Sequence, residues 1–104
     1  FVMDMRFLPN PFWVPELRAK AGTDPAVADY VLGQAGATAF LDRAMALFEP
    51  VLEGYLREGR RYVTLAIGCT GGKHRSVAIT EALAARFDPE RVVAFVVHRD
   101  LGRE

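Results

Sequence analysis

The sequence predicts a small α/β domain with a mainly parallel sheet and flanking helices. The stretch RRYVTLAIGC at 60–69 is a nearly continuous apolar run with β-branched residues, which is typical of a strand covered on both faces. A helical pattern at 75–87 and a second apolar run, RVVAFVVH at 91–98, follow it. A strand, helix and strand in this order form a unit whose two parallel strands are joined by a right-handed crossover.

Two segments at the start of the chain precede this unit. FVMDMRFL at 1–8 alternates apolar with polar residues and predicts a first strand. The prolines of PNPFWVP at 9–15 exclude regular structure there, because proline fixes φ and lacks an amide donor. Phe12 and Trp13 are therefore predicted to lie in a stiff loop, where they either line a ligand pocket or cap the core.

Two helices are predicted in the middle of the chain. Asp24 and Pro25 have the chemistry of an N-cap and a first helical position, and this helix is predicted to end near Gly33. Apolar residues at three- and four-residue spacing then predict a longer helix over 37–58. Pro50 lies inside that pattern and predicts a kink or a break.

Length and composition fit one cytoplasmic domain over 1–104. The hydrophobic fraction of 51% excludes a disordered chain, and 13 basic against 13 acidic side chains give no net charge that would favour nucleic acid or a membrane surface. No apolar run approaches the roughly 20 residues that span a bilayer. The single cysteine leaves no intramolecular disulfide and fits a reducing compartment. The chain starts FVMD without an initiator Met, so we expect more protein upstream.

The loop between the second strand and its helix is the main candidate site. AIGCTGGKHRSVAI spans 66–79, and ligands in open α/β sheets bind at the carboxyl ends of strands beside helix N-termini. Gly71 and Gly72 allow a ligand to approach the backbone amides, and the cationic stretch at 73–75 adds donors suited to phosphate. The pattern favours an anion-binding loop over a glycine turn with solvated charges.

The same loop also fits a catalytic alternative. Its spacing is C-x-x-G-x-x-R-S, the phosphate-loop pattern of cysteine-dependent phosphatases, with Cys69 as nucleophile and Arg75 on the phosphate. A helix N-terminus and nearby cations lower a thiol pKa. Gly68 stands where many tyrosine phosphatases have His, and no separate loop indicates a general acid, for which Asp4 and Asp100 are the candidates. Cys69 is otherwise a small buried hydrophobe at a strand end.

The other polar candidates each have two possible roles. His98 and Arg99 end the third predicted strand, at the same sheet edge as the loop, where His98 either contacts the anion or only ends the strand. Arg57, Arg60 and Arg61 form a basic cluster, which is either a solvated helix end or a contact for RNA or a protein partner.

Four motifs, in order along the chain, point to a known family. They are DMRFLPNPFW at 4–13, GTDPAV at 22–27, IGCTGGKHRSV at 67–77 and HRD at 98–100. Together they resemble the C-terminal domain of the RapZ/YvcJ family over essentially the whole chain. The combination of DxRFLPNPxW with IGCTGGxHRSV is far more specific than any single glycine motif.

The resemblance implies a fold similar to a phosphofructokinase subdomain and a sensory rather than enzymatic role. Family members have an N-terminal P-loop domain that binds and hydrolyses ATP or GTP, and no G-x-x-x-x-G-K-[ST] stretch occurs here. This domain is thus expected to need no cofactor or metal. In the best-studied branch it senses glucosamine-6-phosphate, binds a small RNA that it presents to a ribonuclease, and acts as an oligomer.

The resemblance also assigns the site. The family's metabolite positions match Asp4, Cys69, Thr70, Gly71, His74 and Arg75. With the loop pattern, the predicted ligand site comprises Asp4, Cys69, Thr70, Gly71, Gly72, Lys73, His74, Arg75 and Ser76, and further pocket candidates are Phe12, Trp13, His98 and Arg99. The amides of Gly71 and Gly72 are predicted to cradle the phosphate, Arg75 and His74 to hydrogen-bond it, and Asp4 to read the sugar.

Two positions depart from the family pattern. Some members have His where this chain has Phe12, which removes a donor and leaves the identity of the sugar open. RNA-binding members end in a basic tail, whereas this chain ends DLGRE. Since phosphate contacts supply most RNA affinity, ligand sensing is a stronger expectation than RNA binding.

Overall fold

A computed structural model describes residues 1–103 and has an α/β fold. The elements are β1 (Val2–Asp4), a 3-10 helix (Pro11–Trp13), α1 (Pro15–Arg18), α2 (Pro25–Leu32), α3 (Ala35–Arg57), β2 (Ala66–Gly68) and α4 (Arg75–Arg86). Over these residues β1 and β2 form a two-stranded parallel sheet, with Met3 opposite Ile67 and Asp4 opposite Gly68. The predicted fold class is confirmed.

The core lies between the three longer helices and one face of the sheet. Its buried side chains include Val27 and Val31 of α2, Leu41 and Phe48 of α3, and Ile79 and Leu83 of α4. Met3 and Ile67 pack against this cluster from the sheet. Because α4 packs on β2 and on both other helices, its N-terminus is held at the carboxyl ends of the two strands.

The predicted helices form, with one difference. Asp24 caps α2, since its Oδ1 accepts a hydrogen bond from the Ala26 amide at 2.9 Å. The longer helix begins at Ala35 and continues through Pro50, so the break considered at that position does not occur. Pro50 cannot donate to the carbonyl four residues earlier, but Phe48 is buried beside it, and this packing holds the helix together.

The proline-rich segment is more regular than predicted. Pro11 and Pro15 each begin a short helix, where a missing amide donor costs nothing because the first helical amides have no partner inside the helix. The side chain of Asn10 caps the first of these helices by accepting from the Phe12 amide at 3.1 Å. The expectation of irregular structure here was wrong for this reason.

The predicted third strand is absent, and the second is short. Residues 91–98 form no strand, and Phe95 is 88% exposed. β2 occupies only 66–68 of the predicted 60–69, and only its middle residue, Ile67, packs on the core, so the strand is not covered on both faces. An apolar pattern becomes a strand only where a neighbour takes its backbone hydrogen bonds. For β2 that neighbour is β1.

No helix formed by residues 1–103 is long and apolar enough to cross a membrane.

Candidate functional site

A cavity of about 580 Å³ lies between the loop after β2 and the segment that contains the short helices. The loop forms one wall and the aromatic segment the other. The lining residues are Asn10, Phe12, Trp13, Arg18, Ala19, Cys69, Thr70, Gly71, Lys73, His74 and Arg75. The structure therefore brings most of the predicted loop residues and both predicted aromatic residues to one cavity.

The aromatic wall is open to the cavity. Phe12 and Trp13 meet edge to face, with ring centroids 5.2 Å apart. Trp13 is 74% exposed, so it does not cap the core. Of the two readings open for these residues in the sequence, the structure favours the pocket wall.

Arg75 links the loop to the first segment of the chain. Arg75 is the first residue of α4, and only 4% of its surface is exposed. Nη1 donates to the Leu8 carbonyl at 3.0 Å, and Nη2 lies 3.3 Å from Thr70 Oγ1, to which it donates. Nε is buried and has no hydrogen-bond partner among residues 1–103. The cavity wall thus contains a fixed positive charge with one unused donor.

His74, in the loop, is hydrogen-bonded to the opposite wall of the cavity at Arg18. Its ring is buried, and Nε2 lies 3.1 Å from the carbonyl oxygen of Arg18. Because a carbonyl oxygen can only accept, Nε2 must donate, and Nδ1 of the neutral ring is then an acceptor. The Gly22 amide also donates to the Lys73 carbonyl at 2.7 Å. In this arrangement His74 positions the cavity walls, and it can donate to an anion through Nδ1 only when protonated.

Gly72 makes the turn of the loop. Its φ is +71°, and a Cβ at this position would lie 2.9 Å from the Cβ of Asp100. Only glycine adopts this conformation readily. The contact also shows that the C-terminal HRD segment reaches the loop through Asp100.

Asp4 lies at the correct edge of the sheet but is engaged by a neighbour. It pairs with Gly68 in the strand register, directly before the loop. Both of its carboxylate oxygens accept hydrogen bonds from the Arg6 side chain, at 2.6 to 3.0 Å. These bonds lower the pKa of Asp4 below its ordinary value, with a smaller contribution from the charge of Arg75.

His98 and Arg99 lie outside the cavity lining. His98 Nε2 is 2.8 Å from Glu81 Oε1 of α4, and Arg99 pairs with the Asp100 carboxylate at 3.0 Å. The structure does not bring these two candidates to the anion loop, because the strand that was predicted to deliver them does not form.

The Cys69 thiol lies close to the start of α4. Its Sγ is 3.2 Å from Ser76 Oγ, and the Ser76 amide donates to it at 3.4 Å. Partial burial raises the pKa of the thiol, but the two contacts with Ser76, a bond from the Gly72 amide and the charge of Arg75 lower it by more. The net effect is a pKa below the ordinary value for cysteine.

This shift predicts the pH dependence of cysteine alkylation. A lowered pKa means that the thiolate, which is the reactive form, appears at lower pH in the folded protein than in the unfolded one. We expect the rate of iodoacetamide labelling to reach its midpoint at lower pH in the native protein than in urea. Ser76→Ala should move the native midpoint upward, and equal midpoints for folded and unfolded protein would contradict the prediction.

Three lining residues, Asn10, Arg18 and Ala19, were not among the predicted site residues. Arg18 donates from Nε to the Phe12 carbonyl at 2.7 Å, and its guanidinium lies 4.7 Å from the centre of the Phe12 ring. No periodic signal marks Arg18, since α1 has only one turn. The turn chemistry of Asn10 before a proline could have identified that residue as a cap.

No group of three or more His, Cys, Asp or Glu side chains in residues 1–103 is arranged to hold a metal ion. The expectation that this domain needs no cofactor stays a prediction.

The fold and the site define a small α/β domain with a glycine-rich loop between a parallel strand and a buried helix N-terminus. Residues 1–102 match the family model of the RapZ C-terminal domain, and the chain belongs to this family. The resemblance seen in the motifs is thereby confirmed.

Several bacterial proteins match nearly all of the chain. It is 62% identical over 107 residues to a nucleotide-binding protein of Mycobacterium avium and 62% identical over 103 residues to one of Streptomyces coelicolor. A nucleotide-binding protein of Frankia alni is 63% identical over 103 residues. Each alignment covers 99% of this chain but only 34% to 36% of the relative. The chain therefore spans about a third of the length of these relatives.

Proposed function

We propose that this domain is a sensor that binds a phosphorylated amino sugar, such as glucosamine-6-phosphate, in the cavity beside the loop. The observation that supports this most strongly is Arg75, a buried guanidinium in the cavity wall whose Nε has no partner among residues 1–103. Burial strengthens the electrostatic field of the Arg75 charge, and an anion bound in the cavity pairs with that charge. The domain acts by binding, within a larger nucleotide-binding protein.

The loop forms the phosphate end of the site. The amides of Gly71 and Gly72 and the N-terminus of α4 favour negative charge, and Lys73 lines the same wall. Arg75 adds a planar donor group suited to phosphate oxygens. Hydrogen bonds to Leu8 and Thr70 hold this group in place, so little side-chain entropy is lost when an anion binds.

The opposite wall forms the sugar end. Trp13 and Phe12 present apolar surface against which a sugar ring can pack, and Asn10 and Arg18 add polar groups. The lining residues include no carboxylate that could bind the amine of the sugar. Asp4 can take this role only by giving up contacts with Arg6. The Asp100 carboxylate is close to the loop, since its Oδ2 would lie 3.3 Å from a Cβ added at Gly72.

The alternative function is a cysteine-dependent phosphatase. The contact between Cys69 and Ser76, with the lowered thiol pKa, favours a nucleophile. The positions of the two candidate general acids argue against turnover. Asp4 and Asp100 each accept hydrogen bonds from a neighbouring arginine, and neither is among the residues that line the cavity, so neither is placed to give a proton to a leaving group. Aryl phosphate hydrolysis that disappears in Cys69→Ser would establish the phosphatase.

The proposed function predicts that ligands stabilise the protein. At about 100 times its dissociation constant, glucosamine-6-phosphate should add roughly 2.7 kcal/mol to the free energy of unfolding, measured as a rise in Tm. Glucose-6-phosphate and inorganic phosphate should give smaller rises at equal concentration. Trp13, the only tryptophan of the chain, lines the cavity and should report the same binding by fluorescence.

The two lysines of the chain provide a matched control. Lys73→Met removes a charge from the cavity wall and should weaken the ligand effect. Lys20→Met removes a charge from an exposed position outside the lining and should leave it unchanged. Absence of a Tm rise with all three compounds would contradict the proposal, and an equal rise with phosphate alone would contradict its sugar part.

Further copies of the chain are predicted partners, and an adapter role with a small RNA and a ribonuclease is a second candidate function. Within the basic cluster, Arg57 is 3.3 Å from Glu53 and Arg60 lies 4.5 Å from the centre of the Tyr55 ring. These contacts fit a structured helix end as well as an RNA contact. Salt-sensitive retention of RNA that is lost when the cluster is neutralised would support the adapter role.

A further inference from the structure

The thiol of Cys69 lies in the wall of the proposed ligand cavity. It follows β2 directly, is half-buried and lines the cavity beside Thr70 and Arg75. It is the only cysteine in the 104 residues, so no second thiol of this sequence can protect it as a disulfide. Any small reagent that enters the cavity meets this sulfur.

The surroundings of the sulfur stabilise its anionic form. As a thiol, Cys69 donates to Ser76 Oγ at 3.2 Å, and as a thiolate it can accept from the Ser76 hydroxyl and from the Ser76 amide at 3.4 Å. Ser76 is buried in the first turn of α4, so both donors are fixed. The thiolate is the form that reacts with peroxides, because it is the nucleophile.

A second and independent feature favours an anion at this wall. Arg75 is 4% exposed, lines the same cavity and has a buried Nε without a partner among residues 1–103. A negatively charged oxygen in the cavity is therefore stabilised, whether it belongs to a bound phosphate or to an oxidised sulfur. The two compete for the same region.

We propose that Cys69 is a peroxide-reactive site whose oxidation turns off anion binding in this cavity. The inference rests on the proposed function, since phosphosugar binding is what the oxidation controls. The thiolate attacks one oxygen of hydrogen peroxide, an S–O bond forms and the O–O bond breaks. Sulfur loses two electrons, and the hydroxide that leaves takes a proton to become water. The product is a sulfenic acid, whose added oxygen occupies the phosphate end of the cavity.

A small external thiol reverses the change. It attacks the sulfenic sulfur, forms a mixed disulfide and releases water, and a second thiol molecule then displaces the Cys69 thiolate. The site is thus a reversible switch that makes ligand sensing depend on the redox state of the surroundings. Bound ligand should slow the oxidation, because it covers the sulfur.

The experiment treats the whole chain with limited hydrogen peroxide and follows two independent quantities. Peptide mass spectrometry measures addition of one oxygen at Cys69, and the Tm rise with glucosamine-6-phosphate measures binding. We expect oxidation at Cys69 to weaken binding by about tenfold or more and dithiothreitol to restore it. The affinity of Cys69→Ala, whatever its value, should not respond to peroxide, which controls for oxidation of the methionines.

Two hydroxyl variants on α4 test the role of Ser76 as a positioning residue. Ser76→Ala should slow the oxidation of Cys69 several-fold, whereas Thr80→Ala, which removes a hydroxyl further along the same helix, should not. A ligand-induced Tm rise that survives complete oxidation of Cys69 would overturn the switch alone. No rise in the reduced protein would overturn the proposed function and the switch with it. Oxidation no faster than that of free cysteine would also overturn the switch.

Discussion

Replacing Gly22 by alanine is expected to destabilise the domain by about 3 kcal/mol, the upper end of the usual cost of overpacking. A Cβ at this position would lie 2.4 Å from the His74 carbonyl oxygen, 2.7 Å from the Ala78 amide nitrogen and 2.8 Å from the Val77 Cβ. The first two are backbone atoms of the first turn of α4, joined by a helical hydrogen bond. They cannot move without unwinding the start of the helix.

The measurement is thermal or urea unfolding, with a fall in Tm of more than about 10 °C expected for a domain of this size. Gly54→Ala is the matched control. Gly54 lies inside α3, where its nearest atom to an added Cβ is an arginine side chain at 3.8 Å, and alanine there should stabilise the helix by about 0.5–1 kcal/mol. Equal stabilities for the two variants would show that the segment at Gly22 does not pack on α4 as described.

The Gly22 contact also shows how the site is assembled. The Gly22 amide donates to Lys73, and His74 Nε2 donates to the Arg18 carbonyl, so the two walls of the cavity are joined at neighbouring positions. A shift of α4 in Gly22→Ala should therefore weaken the ligand-induced rise in Tm as well as the stability. The stability of the fold and the geometry of the site depend on the same contact.

The loop could be predicted from the sequence because its chemistry is local. Cys69 to Ser76 contains the turn glycines, the cations and the helix start in consecutive positions, and the structure places a strand before it and a helix after it. Asp24 before Pro25 was predictable for the same reason. In each case residues within a few positions of one another determine the backbone.

The opposite wall and the third strand depend on distant contacts. Arg18 joins the site because a one-turn helix at Pro15 turns it towards Phe12, and nothing in its neighbourhood in the sequence signals that. Residues 91–98 have the composition of a strand, but a strand also needs a partner for its amides and carbonyls. The pattern could not show that His98 would contact Glu81 instead of the loop.

Arg75→Met is expected to have the largest combined effect on stability and binding. Methionine fills a similar volume without donors, so the Leu8 carbonyl and the Thr70 hydroxyl lose the hydrogen bonds that Arg75 gives them at 3.0 and 3.3 Å. Hydrogen bonds from a charged donor contribute about 1.5–3 kcal/mol each. The substitution also removes the buried Nε, whose lack of a partner destabilises the unmodified protein, and this gain offsets part of the loss. We expect a net destabilisation of about 2 kcal/mol.

Arg75→Met should weaken ligand binding more than it lowers the free energy of unfolding. The roughly 2.7 kcal/mol that a phosphosugar adds at about 100 times its dissociation constant should fall close to zero, because the fixed charge in the cavity wall is gone. Arg75→Lys keeps the charge but not the planar group, and it should retain part of the ligand effect while losing the bond to Leu8 or to Thr70. The measurement is urea unfolding with and without glucosamine-6-phosphate.

Arg86→Met is the control on the same helix. Arg86 makes an exposed ion pair with Asp42 at 2.6 Å, and such pairs contribute about 0–1 kcal/mol, so both stability and the ligand effect should stay near those of the unmodified protein. If Arg75→Met keeps the full ligand effect, the anion does not bind at this wall. If it keeps full stability, the bond from α4 to Leu8 does not hold the first segment of the chain in place.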